Sequence, residues 1–254
     1  MKSDIRVSFS LRDRDLAAEG LILLEGSFLV ERALASGLEM CEILCVPKAA
    51  PRWDALASGR CPVRTLTEGE ISALAGYPFH RGVLALARRP VLREIRGAAD
   101  IPGGNILCLH QVSDGDNLGA LIRSGAALGI DAVVLGPGCA DPFYRKVLRS
   151  SMGASFCLPL YSLVQENVNL LFTSGLLTVA AALGGASLEG IAVGPPAEKK
   201  PICLFLGNEG WGLPEEIVSA CELKIEIPMS GKTDSLNVAS AGAILMWELL
   251  RKRE

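Results

Sequence analysis

IPMSGKTDSLNVASAGAILMWELL, residues 227–250, carries a polar loop straight into an apolar helix near the end of the chain. Ser235 and Asn237 stand at the mouth of that helix. Both residue types favour the N-cap, where a side-chain oxygen accepts from a backbone N–H that the helix leaves without a partner. Capping alone would account for them, so a chemical reading depends on segments upstream. The SGKT within the loop invites comparison with a phosphate-binding loop, but that motif needs glycine five residues before the Gly-Lys pair, and Glu226 is there instead.

The first upstream segment is QVSDGDNLGALIRSGAALG, which follows the strand-like run Ile106–His110. Asp116 or Asn117 can cap the helix that begins there, and Arg123 lies in an otherwise apolar stretch. An isolated cation among Leu, Ile and Ala needs either a partner or solvent, because an unpaired buried charge is costly. The second segment, LFLGNEGWGLPEEI, runs from a strand into Gly207, Gly210 and Gly212 before Pro214 opens a helix. Closely spaced glycines let the backbone approach a ligand or turn tightly. Their spacing is not the dinucleotide-binding G-x-G-x-x-G, which argues against a nicotinamide-dependent oxidoreductase. A further stretch, GPGCADPFYRKVLRSSMGASFCLPL, gathers Asp141, Arg145, Lys146, Arg149 and Ser151 around one short predicted helix, an arrangement suited to an anionic substrate or to plain solvation.

With 254 residues, half of them hydrophobic, the chain can build a large core. Its weakly polar run Gly175–Leu188 is shorter than the roughly 18 apolar residues of a membrane span. The charged N-terminus MKSDIRVSFSLRDRD lacks the apolar core of a signal peptide, so the expected location is cytoplasmic and no membrane partner is expected. The eight cysteines include no C-x-x-C pair, and with only His80 and His110 beside them no metal site is expected; they read as small buried thiols. Net charge is −3, yet residues 1–100 carry +1 and residues 101–254 carry −4. Arg81, Arg88, Arg89, Arg93 and Arg96 form a cluster that would serve either as a phosphate-binding face or as ordinary surface.

EGSFLVERALASGLEMCEILCV reads as an amphipathic helix ending near Gly37 and then a strand, VRTLTEGEISALAG as strand, turn and helix, and GVLALARR as a strand after the His80-Arg81 turn. These make a first α/β unit, residues 1–96. The turn-rich residues 97–104 read as a linker, and residues 105–254 as a second α/β unit. Its predicted strands are Ile106–His110, Ala132–Leu135, Leu176–Ala181, Ile202–Leu206 and Lys224–Pro228, with helices from Leu118, Pro142, Leu163 and Pro214 between them. Short apolar strands alternating with helices predict a parallel sheet covered on both faces.

DNLGALIRSGAALG, LFLGNEGWGLPEE and IPMSGKTDSLNVASAGAILMWEL resemble, in order and spacing, the three motifs of the SpoU/TrmH family of RNA ribose 2'-O-methyltransferases. RKVLRSSMGA resembles the segment between the first two, while EGSFLVERALASG and HRGVLAL are similar to the small substrate-binding domain often attached to these enzymes. The resemblance implies a SPOUT-type α/β fold with a parallel sheet and a C-terminal trefoil knot, preceded by a small L30e-like α/β domain that binds RNA. It implies S-adenosylmethionine as cofactor, a homodimer, and a ribosomal or transfer RNA substrate, with ribosomal RNA favoured by the extra domain. Carried over residue by residue, Leu206, Gly207, Gly210, Ile227, Met229 and Leu236 would line the cofactor site. Asn117, Arg123, Glu209, Ser235 and Asn237 match the polar active-site positions. The resemblance gives Arg123 the part of general base, but a guanidinium is normally protonated well above neutral pH, so general base and electrostatic stabiliser both stay open. Where the family commonly has proline before the first-motif Asn, this chain has Asp116. The alternative function is a non-catalytic RNA-binding protein that keeps the fold.

Overall fold

A computed structural model describes residues 12–79, 81–164, 167–188, 200–233 and 235–251; the N-terminal residues 1–11 and the proposed turn residue His80 lie outside the described residues. The chain divides into two compact units, Met1–Val91 with Asp141–Cys157, and Leu92–Ala140 with Leu158–Glu254.

In the first unit the order is α1 (Asp13–Ala18), β1 (Leu21–Glu25), α2 (Ser27–Ala35), β2 (Met40–Cys45), α3 (Ala50–Ala57), β3 (Val63–Thr65), α4 (Glu68–Ala75) and β4 (Val83–Arg88). The sheet order is β1-β4-β2-β3, with β4 antiparallel to β1 and β2, and β3 parallel to β2. The predicted strand, turn and helix of VRTLTEGEISALAG form because Thr67 and Glu70 make a reciprocal capping box at the start of α4. Leu23, Leu44, Ile71, Leu84 and Leu86 pack as a core cluster.

The chain continues through β5 (Arg93–Glu94), β6 (Ile106–Leu109), α5 (Gly115–Leu128), β7 (Ala132–Leu135), α6 (Arg145–Ser150), β8 (Leu160–Ser162), α7 (Asn169–Phe172), β9 (Leu177–Ser187), β10 (Ile202–Leu206), α8 (Glu215–Ala220), β11 (Leu223–Glu226) and α9 (Val238–Arg251). Seven of these strands form a sheet ordered β11-β9-β10-β6-β7-β8-β5, and every pairing in it is parallel. β6, β7 and β10 are buried along their whole length, as the short apolar runs predict for interior parallel strands. From the edge strand β11 the chain returns to lay α9 over α5 and β10. A Cβ on Gly242 of α9 would sit 2.4 Å from Leu121 Cδ2 and 2.7 Å from Leu206 Cδ1, so any side chain there would have to displace the ends of both leucines.

Several expectations are corrected. Residues 92–96, assigned to the first domain, belong to the second unit: Arg93 and Glu94 pair with Tyr161 and Ser162, and Ile95 is fully buried in the second core. The helix expected from Pro142 starts at Arg145 because residues 142–144 form a turn. The one expected from Leu163 is the short α7 from Asn169. β9 runs on to Ser187, six residues beyond the predicted end, since Gly185 allows it to pass against the Ile225 backbone at a distance that a Cβ would reduce to 2.7 Å.

The basic residues around α6 answer carboxylates in the first unit. Arg145 Nε donates to Asp13 Oδ1 at 2.6 Å, Arg149 Nη1 donates to Glu25 Oε2 at 3.0 Å, and Asp141 pairs with Arg89 at 2.7 Å. Glu25 has a side chain only 1% exposed, and a buried carboxylate persists only when cations meet it. Ser151, gathered with them in a stretch suited to an anionic substrate or to solvation, does neither: it is buried and bonded to Leu148 and Ser155. Of the arginine cluster, Arg88 and Arg96 also pair with acids, Glu39 and Glu94. These assignments favour structure over phosphate binding.

Two measurements check this packing. Gly242→Val should cost on the order of 1–3 kcal/mol in urea unfolding, because a branched side chain overpacks Leu121 and Leu206. Among the described residues no group of His, Cys, Asp and Glu could hold a metal, and all eight cysteines are free thiols. Burial pushes Cys139 and Cys221 up to about 12, so their thiolate forms are scarce near pH 8. Alkylation of the native protein at that pH should mark exposed Cys157 and spare those two until denaturant is added.

Candidate functional site

The site is built where β10 ends. Gly207 closes the strand, and a Cβ there would fall 2.3 Å from the Gly212 carbonyl and 2.5 Å from the Leu213 nitrogen, so no other residue fits. The backbone doubles back because Asn208 and Gly212 exchange N–H···O=C bonds of 3.1 and 3.0 Å. The Asn208 side chain braces the turn: its Oδ1 accepts from Gly210 N–H at 2.7 Å, and its Nδ2 donates to the Gln111 carbonyl at 3.0 Å. Glu209 is thereby held at the tip.

From Glu209 a relay of side chains crosses three segments distant in sequence. Asn117 Nδ2 donates to Glu209 Oε1 at 2.5 Å, and Asn237 Nδ2 donates to Asn117 Oδ1 at 2.8 Å. Asn237 Oδ1 accepts from the backbone N–H groups of Ala239 and Ser240 at 2.9 and 3.3 Å, which caps α9. The direction of the relay is fixed at both ends. An ionised carboxylate only accepts and a helix N-terminus only donates, so neither amide can be turned round without losing a bond.

Asn117 can take part because it is not the cap of its own helix. Asp114 is, accepting from Asp116 N–H at 2.8 Å and Asn117 N–H at 3.1 Å, which corrects the choice between Asp116 and Asn117. Gln111 was not singled out from sequence. It adopts φ +56°, a region non-glycine residues seldom occupy, with its carbonyl held by Asn208 and its side-chain Oε1 accepting from Trp211 Nε1 at 2.7 Å.

Beside this turn lies a cleft of about 490 Å³. All six residues expected at a cofactor, Leu206, Gly207, Gly210, Ile227, Met229 and Leu236, line it, as do Glu209 and Ser235. Sequence reasoning missed another wall, Ala181–Leu183, where the register between β9 and β11 jumps from Lys224–Ala180 to Ile225–Ala186 and the first three skipped residues line the cavity. The volume is that of a small-molecule site, and the lining combines apolar side chains with backbone bared by Gly207 and Gly210. The expected residues therefore assemble unevenly. Asn117, Glu209 and Asn237 are bonded together, whereas Ser235 stands on the cleft wall without a side-chain hydrogen bond among the described residues. Arg123 is exposed on α5, with no ion pair among them either, so solvent access and not a salt bridge accommodates its charge.

Comparison with known proteins gives a consistent picture. Residues 104–247 match the SpoU rRNA Methylase family. The chain is 34% identical over 232 residues to the 23S rRNA (guanosine(2553)-2'-O)-methyltransferase RlmP of Bacillus subtilis, covering 89% of this chain and 87% of that one. It is 33% identical to an uncharacterised tRNA/rRNA methyltransferase of Mycobacterium tuberculosis, covering 92% and 82%. The crystal structure of AdoMet-bound rRNA methyltransferase from Sinorhizobium meliloti superposes with a TM-score of 0.82 at 27% identity, covering 98% of this chain and 93% of that one.

Asn237 has two separable tasks, capping α9 and donating to Asn117. Asn237→Ala should lose the cap and about 1 kcal/mol of stability. Asn237→Asp keeps a capping oxygen at a helix N-terminus, so its melting temperature should stay close to that of the parent while the bond to Asn117 is lost. Thermal unfolding of the two variants separates these effects.

Proposed function

The chain belongs to the SpoU rRNA methylase family of S-adenosylmethionine-dependent RNA methyltransferases, and we propose that the group it methylates is a ribose 2'-hydroxyl in a structured RNA, ribosomal RNA ahead of transfer RNA. The observation that carries this reading is the bonded relay Glu209–Asn117–Asn237 beside a cleft of cofactor size. RlmP of Bacillus subtilis, by its name a 23S rRNA 2'-O-methyltransferase, supports the same choice of atom.

The bound cofactor supplies an activated methyl group on a sulfonium centre. Leu206, Gly207, Gly210, Ile227, Met229 and Leu236 hold it. Bare backbone at Gly207 and Gly210 allows close approach, while the apolar side chains shed water from the reacting centre. Glu209 is fixed through Oε1 by Asn117, and Oε2 is left to accept a hydrogen bond from the ribose hydroxyl. Ser235 and Asn237 position the nucleotide from the other side. Such alignment is worth several kcal/mol, on the order of 7–11 in favourable intramolecular cases.

As the 2'-oxygen takes the methyl group, the methyl–sulfur bond would break with its electron pair staying on sulfur as a neutral thioether, and the hydroxyl proton would pass to the Glu209 carboxylate it hydrogen-bonds, the oxygen passing through a state of partial negative charge. A guanidinium keeps its charge throughout the neutral range. An exposed Arg123 therefore suits binding the adjacent phosphate and stabilising that oxygen better than removing the proton. Asp116, in place of the family's proline, adds a negative charge at the start of α5, close to where RNA would lie.

Three further features belong to the proposal. The return of α9 from the edge strand β11 over α5 and β10 is consistent with a C-terminal trefoil knot. Homodimerisation would complete the active site. The first unit, rather than residues 1–96 as a block, would act as an L30e-like RNA-binding domain.

Arg123→Ala should lower methyl transfer to in vitro transcribed 23S rRNA by roughly 10²–10³-fold or more. Calorimetric affinity for S-adenosylmethionine should be unchanged. Full turnover by this variant would remove Arg123 from the mechanism, and a folded parent protein that binds no S-adenosylmethionine would favour a non-catalytic RNA-binding role.

A further inference from the structure

Trp211 is 74% exposed, although an indole is among the side chains that gain most from burial. Of the three tryptophans, Trp53 lies in the core and Trp247 lies on the outer face of α9; Trp211 alone of them lines the cleft. The ring is not loose. Its Nε1–H donates to Gln111 Oε1 at 2.7 Å, and Gln111 is itself anchored by Asn208 and by its own N–H on the Pro137 carbonyl at 3.0 Å. Room for the Gln111 side chain comes from Gly138, where a Cβ would approach its Cγ to 3.0 Å.

This anchoring ties the indole to the loop that leads into α5, the helix bearing Asn117. Two residues before Trp211 stands Glu209, bonded to Asn117. The ring thus lines the same cleft as Glu209, the first member of the polar relay. Two more exposed apolar side chains rim the same cleft, Leu183 at 66% and Leu236 at 39% exposed. A rigid aromatic face whose polar atom is already satisfied offers its neighbour only stacking and apolar contact. Among groups that would accompany a ribose into this site, a nucleobase is the one with a flat π-face of matching size.

From this arrangement we infer that Trp211 is a stacking platform for a base of the RNA substrate, pinned in place by Gln111. The inference rests on the RNA-methylation reading above and adds to it a base-positioning residue. Because stacking is indifferent to base edges, Trp211 holds the nucleotide without choosing its identity. The ribose is then presented to Glu209 and the relay with its orientation set from the base side. Trp211 would act on substrate affinity, and Gln111 through Trp211.

The test compares 12-nucleotide oligoribonucleotides of uridine and of adenosine with an abasic ribose-phosphate 12-mer, all followed by fluorescence anisotropy with the full-length protein. Trp211→Ala should weaken the two base-bearing oligomers by roughly 5- to 150-fold, towards the affinity of the abasic one, which should not change. Trp211→Phe, which keeps a ring, should recover most of that loss, and Gln111→Ala should fall between. Affinity for S-adenosylmethionine should be unaltered in all three, and with in vitro transcribed 23S rRNA the change should appear in KM more than in kcat. The inference is overturned if Trp211→Ala leaves base-bearing and abasic oligomers equally affected or unaffected. It is likewise overturned if that variant loses S-adenosylmethionine binding, or if it changes oligomeric state by light scattering. If the parent protein transfers no methyl group to any RNA yet the oligomer pattern holds, the methylation reading fails and the stacking surface stands. If the parent methylates RNA and the oligomer pattern is absent, only the stacking surface fails.

Discussion

The contact on which this site depends is the one between the α-carbon of Gly207 and the carbonyl of Gly212. Two backbone segments meet there with no space for a methyl group between them. Because the turn can close that tightly, Asn208 and Gly212 bond to each other and Glu209 projects from the tip. The same closure leaves one wall of the cleft as naked peptide. One wall of the cleft and a carboxylate are therefore presented by a single five-residue reversal of the chain. The rest of the sheet serves to hold β10 still, and its complete burial does so.

Around that turn, polar and apolar constraints divide the work. The apolar seat of α9 against Leu121 and Leu206 fixes where the last helix begins, and so where Asn237 stands. The amide of Asn237 then has only one way to face, because its oxygen is taken up by the helix N-terminus. In the first unit the balance is different. Arg145 and Arg149 meet Asp13 and Glu25, so positive charge that would otherwise invite an anion neutralises the buried Glu25 and the half-buried Asp13. Basic residues in a sequence read as an RNA surface only after such partners have been subtracted.

Much of the architecture was legible because it is local. Ala132–Leu135 and Ile202–Leu206 were read with their observed bounds, since a short apolar run flanked by turn residues has few alternatives to an interior parallel strand. Elsewhere local signals compete. QVSDGDN holds several residues of N-cap type, with Asp116 and Asn117 the expected caps, and only the geometry selects Asp114, freeing Asn117 for Glu209. The extension of β9 to Ser187 depends on Gly185 passing the Ile225 backbone, a long-range contact no periodicity encodes. Residues 92–96 were placed in the wrong unit because the burial of Ile95 is decided by strands that come much later. Of the site, the three polar motifs were visible through family resemblance, but Gln111, Asn208 and the 181–183 wall were not. They matter through contacts whose partners lie tens of residues away.

The relay also dictates when in the life of the chain the site can exist. Asn117 waits for Glu209, 92 residues later, and for Asn237, 120 residues later, while α9 must dock before Asn237 is oriented. Closing loops of that length is slow compared with forming local helices. A chain in which α9 has yet to dock can therefore have formed much of its sheet but only the Asn117–Glu209 half of the relay. Docking of α9 is the event that turns a folded scaffold into an assembled site, because it alone brings Asn237 to Asn117.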